Sequence, residues 1–149
     1  MTKPLIAAAL VAVIIVAGVS LFNKPREKWK PLGPVKPIQW HNSLDKAIVE
    51  AERDKKPILV DFYATWCAPC KLMDKETYPD PQVMYEAERW VMVKIDVDKN
   101  QQIALKYNAT ELPTTAFLKS DGTHATGFVG FASPGDMANM MQQAYPKTQ

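Results

Sequence analysis

Cysteine and histidine are scarce in this chain, and the scarcity removes several chemistries at once. Among 149 residues there are two cysteines, Cys67 and Cys70, and two histidines, His41 and His124. Two cysteines in one short motif are not the disulfide framework that staples small secreted domains. They are also too few for a structural zinc site, which usually takes four ligands, and neither histidine lies near them in sequence. Charge of one sign is lacking too. The formal net charge is +2 and no Lys/Arg run is interleaved with aromatics, so a nucleic-acid partner is not expected. There is no internal repeat or low-complexity tract, and nothing calls for a cofactor or a bound metal. With 47% hydrophobic residues, the chain has room for one domain of ordinary size.

What is present centres on Ile58-Leu-Val-Asp-Phe-Tyr-Ala-Thr-Trp-Cys-Ala-Pro-Cys-Lys71. It reads as an apolar strand, a tight turn and a helix that opens on the two cysteines. Two sulfurs separated by two residues at a helix start can close into a small disulfide ring and open again. Reversible thiol–disulfide exchange is therefore the expected chemistry.

Ahead of this stretch the chain divides into three parts. Residues 1–4 are a short tail. Residues 5–22 are apolar except for Ser20. At about 1.5 Å per residue such a helix is near the minimum for a hydrocarbon core of roughly 30 Å, so the run is read as a transmembrane anchor. The alternative is a cleaved signal, whose apolar run is shorter; Val16-Ala17-Gly18 is a weak cleavage site. Lys24, Arg26, Lys28 and Lys30 after the run would place the domain in the cytoplasm by the positive-inside rule. The short basic start at Lys3 resembles an export signal, and the exported side (periplasm or cell exterior) is the expectation. Residues 23–37, with Pro25, Pro31, Pro34 and Pro37 among charges, form a semi-rigid linker.

The globular domain is expected over 38–149. Ser43 caps an amphipathic helix with Leu44, Ala47, Ile48 and Ala51 on one face, stopped by Pro57. Ile58 to Ala64 is a strand buried on both faces. A helix follows from Cys67 to Thr77, with Pro69 harmless in its first turn. After the Pro79-Asp80-Pro81 break come a short helix over Val83–Glu88 and a strand over Trp90–Val97. Asp98 is the expected cap of a helix reaching Tyr107. Thr114–Leu118 and His124–Val129 form a hairpin around Ser120-Asp121-Gly122. Ser133-Pro134 starts the last helix, whose Met137, Met140, Met141 and Ala144 stripe is expected to pack in the core. Strands separated by helices pair in parallel and the hairpin adds an antiparallel pair, which predicts an α/β fold with a central mixed sheet flanked by helices.

Cys67, at the helix start, is the expected attacking sulfur, because unpaired N–H groups and the helix dipole favour its thiolate. Cys70, one turn on, is placed to resolve the mixed disulfide. Asp61 interrupts an apolar strand, where an unpaired charge costs several kcal/mol. It is read as a buried acid of raised pKa that takes the Cys70 proton. Lys94 is a similar charge in an apolar strand and a candidate neighbour. A cis bond at Leu112-Pro113 would turn the chain beside the sulfurs and offer the Leu112 backbone to an extended substrate; the sequence leaves cis and trans open.

The segment from Asp61 to Lys71 resembles the active-site signature of the thioredoxin family. Leu112-Pro-Thr114 resembles that family's cis-proline loop, Gly130 falls where the family has a glycine near its substrate groove, and Asp61 and Lys94 match its buried acid and lysine. The likeness spans roughly 38–145. It implies a thioredoxin fold, Cys67, Cys70 and Asp61 as the reacting set, Trp66, Pro69 and Lys94 as supports, and substrate contact at Leu112, Pro113 and Gly130. Within the family, Lys71-x-x-Asp-Lys-Glu-Thr-Tyr-x-Asp-Pro-Gln-Val83 resembles the C-terminal exported domain of DsbD-type thiol:disulfide interchange proteins. That implies a reductase of exported protein disulfides fed by an upstream thiol donor. The pair between the cysteines is Ala68-Pro69, where thioredoxin has Gly-Pro and the DsbD-type domain commonly Val-Ala. Two rivals stay open: an oxidase or isomerase on the same scaffold, and a copper carrier that would need a further soft ligand such as Met73.

Overall fold

The run Ile58–Tyr63 forms strand β2, and every residue but the last is buried. A strand covered on both faces needs no polar alternation, which is why its sequence reads as continuously apolar. The computed structural model describes residues 33–149. The tail 1–4, the apolar run 5–22 and residues 23–32 of the proline-rich linker lie outside the described residues. Among the described residues, no helix is long and apolar enough to cross a membrane.

β2 is flanked by β3 (Val91–Asp96), parallel to it, and by β4 (Thr114–Leu118), antiparallel to it. β5 (His124–Val129) closes the hairpin with β4, with a register irregularity between Phe117 and Leu118. The sheet also has a strand that the sequence does not announce. β1 is only Trp40–His41, pairing in parallel with β3, and it completes the order β1-β3-β2-β4-β5. Two residues are too few for a period-2 pattern to register, so the first expected element, a helix, is in fact the second.

Among the described residues, five α-helices cover the two faces: α1 (Leu44–Asp54), α2 (Ala68–Leu72), α3 (Pro81–Ala87), α4 (Gln101–Lys106) and α5 (Pro134–Ala144). The Ser43 hydroxyl caps α1 by accepting from the Lys46 N–H, and Lys55 ends it in the left-handed region, at φ 52. Ser133 caps α5 in the same way, accepting from the Asp136 N–H. The expected cap at Asp98 is not formed. Asn100 occupies the N-cap of α4, and the Asp98 carboxylate is held by an indole instead. The expected helix over Val83–Glu88 starts earlier, at Pro81, because Asp80 caps it through the Gln82 N–H.

Alternation along β2 separates two cores. Ile58, Val60 and Phe62 pack with Leu44, Ala47, Ala51, Ala104 and Tyr107. Leu59 packs on the other side with Met73, Val83, Trp90, Phe117, Met137 and Met141. The methionine stripe is core, as expected: Met137 and Met141 are fully buried, and Met140 packs at the edge.

Gly127 of β5 shows how closely the hairpin is packed. A Cβ built there would stand 2.6 Å from the Thr115 carbonyl oxygen, a backbone atom that has no rotamer to move to. Gly127→Ala should therefore lower stability by about 1–3 kcal/mol, because the clash outweighs the few tenths gained from a stiffer unfolded chain. The check is a urea titration, with a lower midpoint at unchanged slope; an unchanged midpoint would contradict this packing.

Candidate active site

Leaving β2, the chain turns through Ala64 and Trp66 to Cys67, which is the N-cap of α2 in extended conformation. A cap residue must offer an acceptor to the first free N–H groups of its helix. Cys67 offers sulfur, and its Sγ accepts the Cys70 N–H at 3.2 Å. Pro69 lies in the first turn, where its missing N–H leaves no bond unmade. Cys67 and Cys70 are joined as a disulfide, both almost fully buried, in a small apolar cluster with Ala64 against which Tyr63, Val97 and Leu112 pack. Reduced, Cys67 would keep the same backbone donor, which favours thiolate over thiol.

The expected single helix over 67–77 is two kinds of helix. After α2 the chain widens into a π-helical turn over Met73–Thr77, closed by the Tyr78 N–H to the Met73 carbonyl. The extra residue in a π turn re-aims the side chains that follow. Here Met73 and Thr77 face inward with no exposure, and Asp74 reaches Lys94.

Asp61 is 1% exposed in the middle of the sheet. Register places it opposite Lys94 on β3 and opposite Thr115 on β4. The Lys94 ammonium lies 3.2 Å from Asp61 Oδ2 and also pairs with Asp74, so one cation serves two carboxylates. Three rings surround that ammonium, with centroids at 5.0 Å for Trp40 and 5.2 Å for both Tyr63 and Tyr78. Among the described residues, Asp61 Oδ1 and the Tyr78 and Thr115 hydroxyls make no hydrogen bond of ordinary geometry. Burial holds the Asp61 carboxyl above the usual carboxylate range even against the pull of Lys94. Burial, aided by the Asp61 charge, likewise pushes the Tyr78 phenol well above its ordinary value. Lys94 and Asp74 also border a cavity of ≈ 530 Å³ on this side, with Ile38, Trp40 and Tyr78 in its wall.

The third component comes from the far end of the chain. The Leu112–Pro113 peptide bond is cis, and Leu112 packs on the cysteine cluster. The Pro113 carbonyl accepts the Gly130 N–H at 2.8 Å. Gly130 has φ +104, a backbone conformation that side chains rarely adopt. Cys67, Cys70, Leu112, Pro113 and Gly130, scattered in sequence, thus form one connected region. Trp66 stands 67% exposed beside it, held by its indole N–H to Asp98 at 2.9 Å.

Several participants had no local signal. Asp98 reads as a helix cap, and Asp74, Tyr78 and Thr115 read as ordinary helix, turn and strand residues. Only the sheet register and the π turn bring Asp74, Tyr78 and Thr115 around the Asp61–Lys94 pair. Met73, which a copper site would need beside the sulfurs, is fully buried in the core with Leu59.

Comparison with known proteins agrees with this geometry. The family described as Thioredoxin matches residues 38–143. Thioredoxin-T of Drosophila melanogaster is 34% identical over 109 residues, which cover 73% of this chain and 66% of that protein. The thiol:disulfide interchange protein DsbD of Klebsiella pneumoniae subsp. pneumoniae is 29% identical over 140 residues, 83% of this chain but 23% of that protein. The chain thus spans only part of the curated relatives it matches. Among solved structures, the oxidised C-terminal domain of Neisseria meningitidis DsbD is similar at a TM-score of 0.59 and 30% identity, covering 67% of this chain and 91% of that one. The chain belongs to the thioredoxin family.

Proposed function

We propose that this protein is a membrane-tethered reductase of exported protein disulfides. The observation that carries the reading is the Cys70 N–H aimed at Cys67 Sγ, beside the Leu112–Pro113 turn. In the reduced protein the Cys67 thiolate attacks one sulfur of a substrate cystine. The substrate S–S bond breaks, a Cys67–substrate disulfide forms, and the first substrate sulfur leaves as a thiolate that takes a proton from water. Cys70 then gives its proton to the Asp61 carboxylate and attacks Cys67. The mixed disulfide breaks, the Cys67–Cys70 disulfide closes, and the second substrate thiolate leaves. Two electrons have passed to the substrate, and an upstream thiol donor must return two.

Asp61 suits the proton step because a carboxylate with raised proton affinity is a stronger base near neutral pH. Lys94 keeps that carboxylate partly compensated while it waits. The Leu112 backbone and Gly130 present the substrate segment, while Trp66 and Pro69 support the cysteine turn. Residues 5–22 anchor the domain and residues 23–37 hold it off the bilayer on the exported side, in keeping with the likeness to DsbD proteins.

A redox titration of the protein against thiol buffers tests the direction. The expected potential lies at the reducing end of the family range, near thioredoxin's roughly −270 mV. A value close to the roughly −120 mV of strongly oxidising members would overturn the reductase reading in favour of an oxidase.

A further inference from the structure

Thr77 is fully buried at the end of the π turn, on a helical segment continuous with Cys67. A hydroxyl in that position costs stability unless it is bonded, and a valine of nearly the same shape would carry no such cost. Its bond is long-range: Thr77 Oγ1 donates to the Ala132 carbonyl at 2.7 Å, across 55 positions of sequence.

The acceptor lies in a short connection, Gly130 to Ser133, between β5 and α5. Each end of that connection is already held. Gly130 donates its N–H to the Pro113 carbonyl, and Ser133 caps α5. Between them Phe131 stands 43% exposed, directly before Ala132 at 3%. Thr77 therefore ties the helix that carries Cys67 to the loop that carries Phe131, on the side where Gly130 meets the cis turn.

The geometry points to Thr77 as a positioning residue: its bond to Ala132 sets the Gly130–Phe131 wall at a fixed place relative to Cys67, for the binding of polypeptide disulfides. This rests on the reductase reading above. A protein substrate must reach both the sulfur and the wall, so it feels a loosened wall. A small aromatic disulfide needs only the sulfur.

The experiment compares the full chain with Thr77→Val and Thr77→Ser, using insulin and the small disulfide DTNB as substrates. Thr77→Val should raise KM for insulin about three- to tenfold, the factor expected from one lost hydrogen bond, with kcat within about twofold and the DTNB rate unchanged. Thr77→Ser keeps the hydroxyl and should restore the wild-type KM. Should the valine protein not fold, Thr77→Ser against Thr77→Ala makes the same comparison, with the raised KM expected only in alanine. An unchanged insulin KM, an equal loss on both substrates, or serine behaving like valine overturns the role of Thr77. Failure of the unmutated protein to reduce either substrate is a different result and overturns the reductase reading itself.

Discussion

Cys67→Ser should reduce insulin no faster than the buffer alone, whereas Cys70→Ser should still react once and then stop. The asymmetry follows from where the activating donor sits. The group aimed at Cys67 Sγ is the backbone N–H of Cys70, which a serine at position 70 retains. First attack therefore survives in Cys70→Ser, and turnover is lost because no second thiol opens the mixed disulfide. In Cys67→Ser the remaining sulfur lies at position 70, inside the helix, where no cap geometry favours its thiolate. Steady-state turnover should fall at least about a hundredfold in both, while a single-turnover burst appears only in Cys70→Ser. A burst in Cys67→Ser, or its absence in Cys70→Ser, would reverse the roles of the two sulfurs.

Asp61→Asn should make the protein more stable and less active. In the native protein the Asp61 carboxyl holds its proton to higher pH than in the unfolded chain. Its favourable contribution is complete below the unfolded carboxylate pKa and is lost as pH rises through the folded value, because the unfolded chain then releases the proton more readily. At neutral pH the wild type carries the cost of a charge buried in the sheet. Removing one member of a buried pair normally leaves the other charge stranded, but Lys94 retains Asp74. The substitution should therefore stabilise the protein near pH 7, with the difference shrinking towards zero in acid. Urea titrations at several pH values measure it. A variant less stable at pH 7 would show that Lys94 depends on Asp61 alone. On the kinetic side, losing a general base should slow resolution by about a hundredfold while the first attack keeps its rate. Equal slowing of both steps would refute the proton role.

The parts of this site that could be read in the chain are those whose chemistry is local or out of place. Cys67 and Cys70 are one turn apart, so spacing alone places both sulfurs on the helix start. Asp61 and Lys94 stand out because a charge inside an apolar strand needs a reason, and the register supplies it by setting them opposite each other. The rest depends on what packs against what. Asp98 is an adequate cap by residue type, yet a better donor, the Trp66 indole, claims it across 32 positions. The π turn leaves no mark in composition, although it decides that Thr77 faces inward and that Asp74 meets Lys94. β1 exists only because β3 offers it an edge, since two residues have no pattern of their own.

Of the two sulfurs, Cys67 forms the covalent bond to the substrate and Cys70 breaks it. The most direct measurement is mass spectrometry of the adduct formed when Cys70→Ser is mixed with oxidised insulin, after digestion without reductant. The prediction is a single disulfide between Cys67 and one insulin half-cystine, released by added thiol. Absence of any adduct from an otherwise folded Cys70→Ser protein would contradict it.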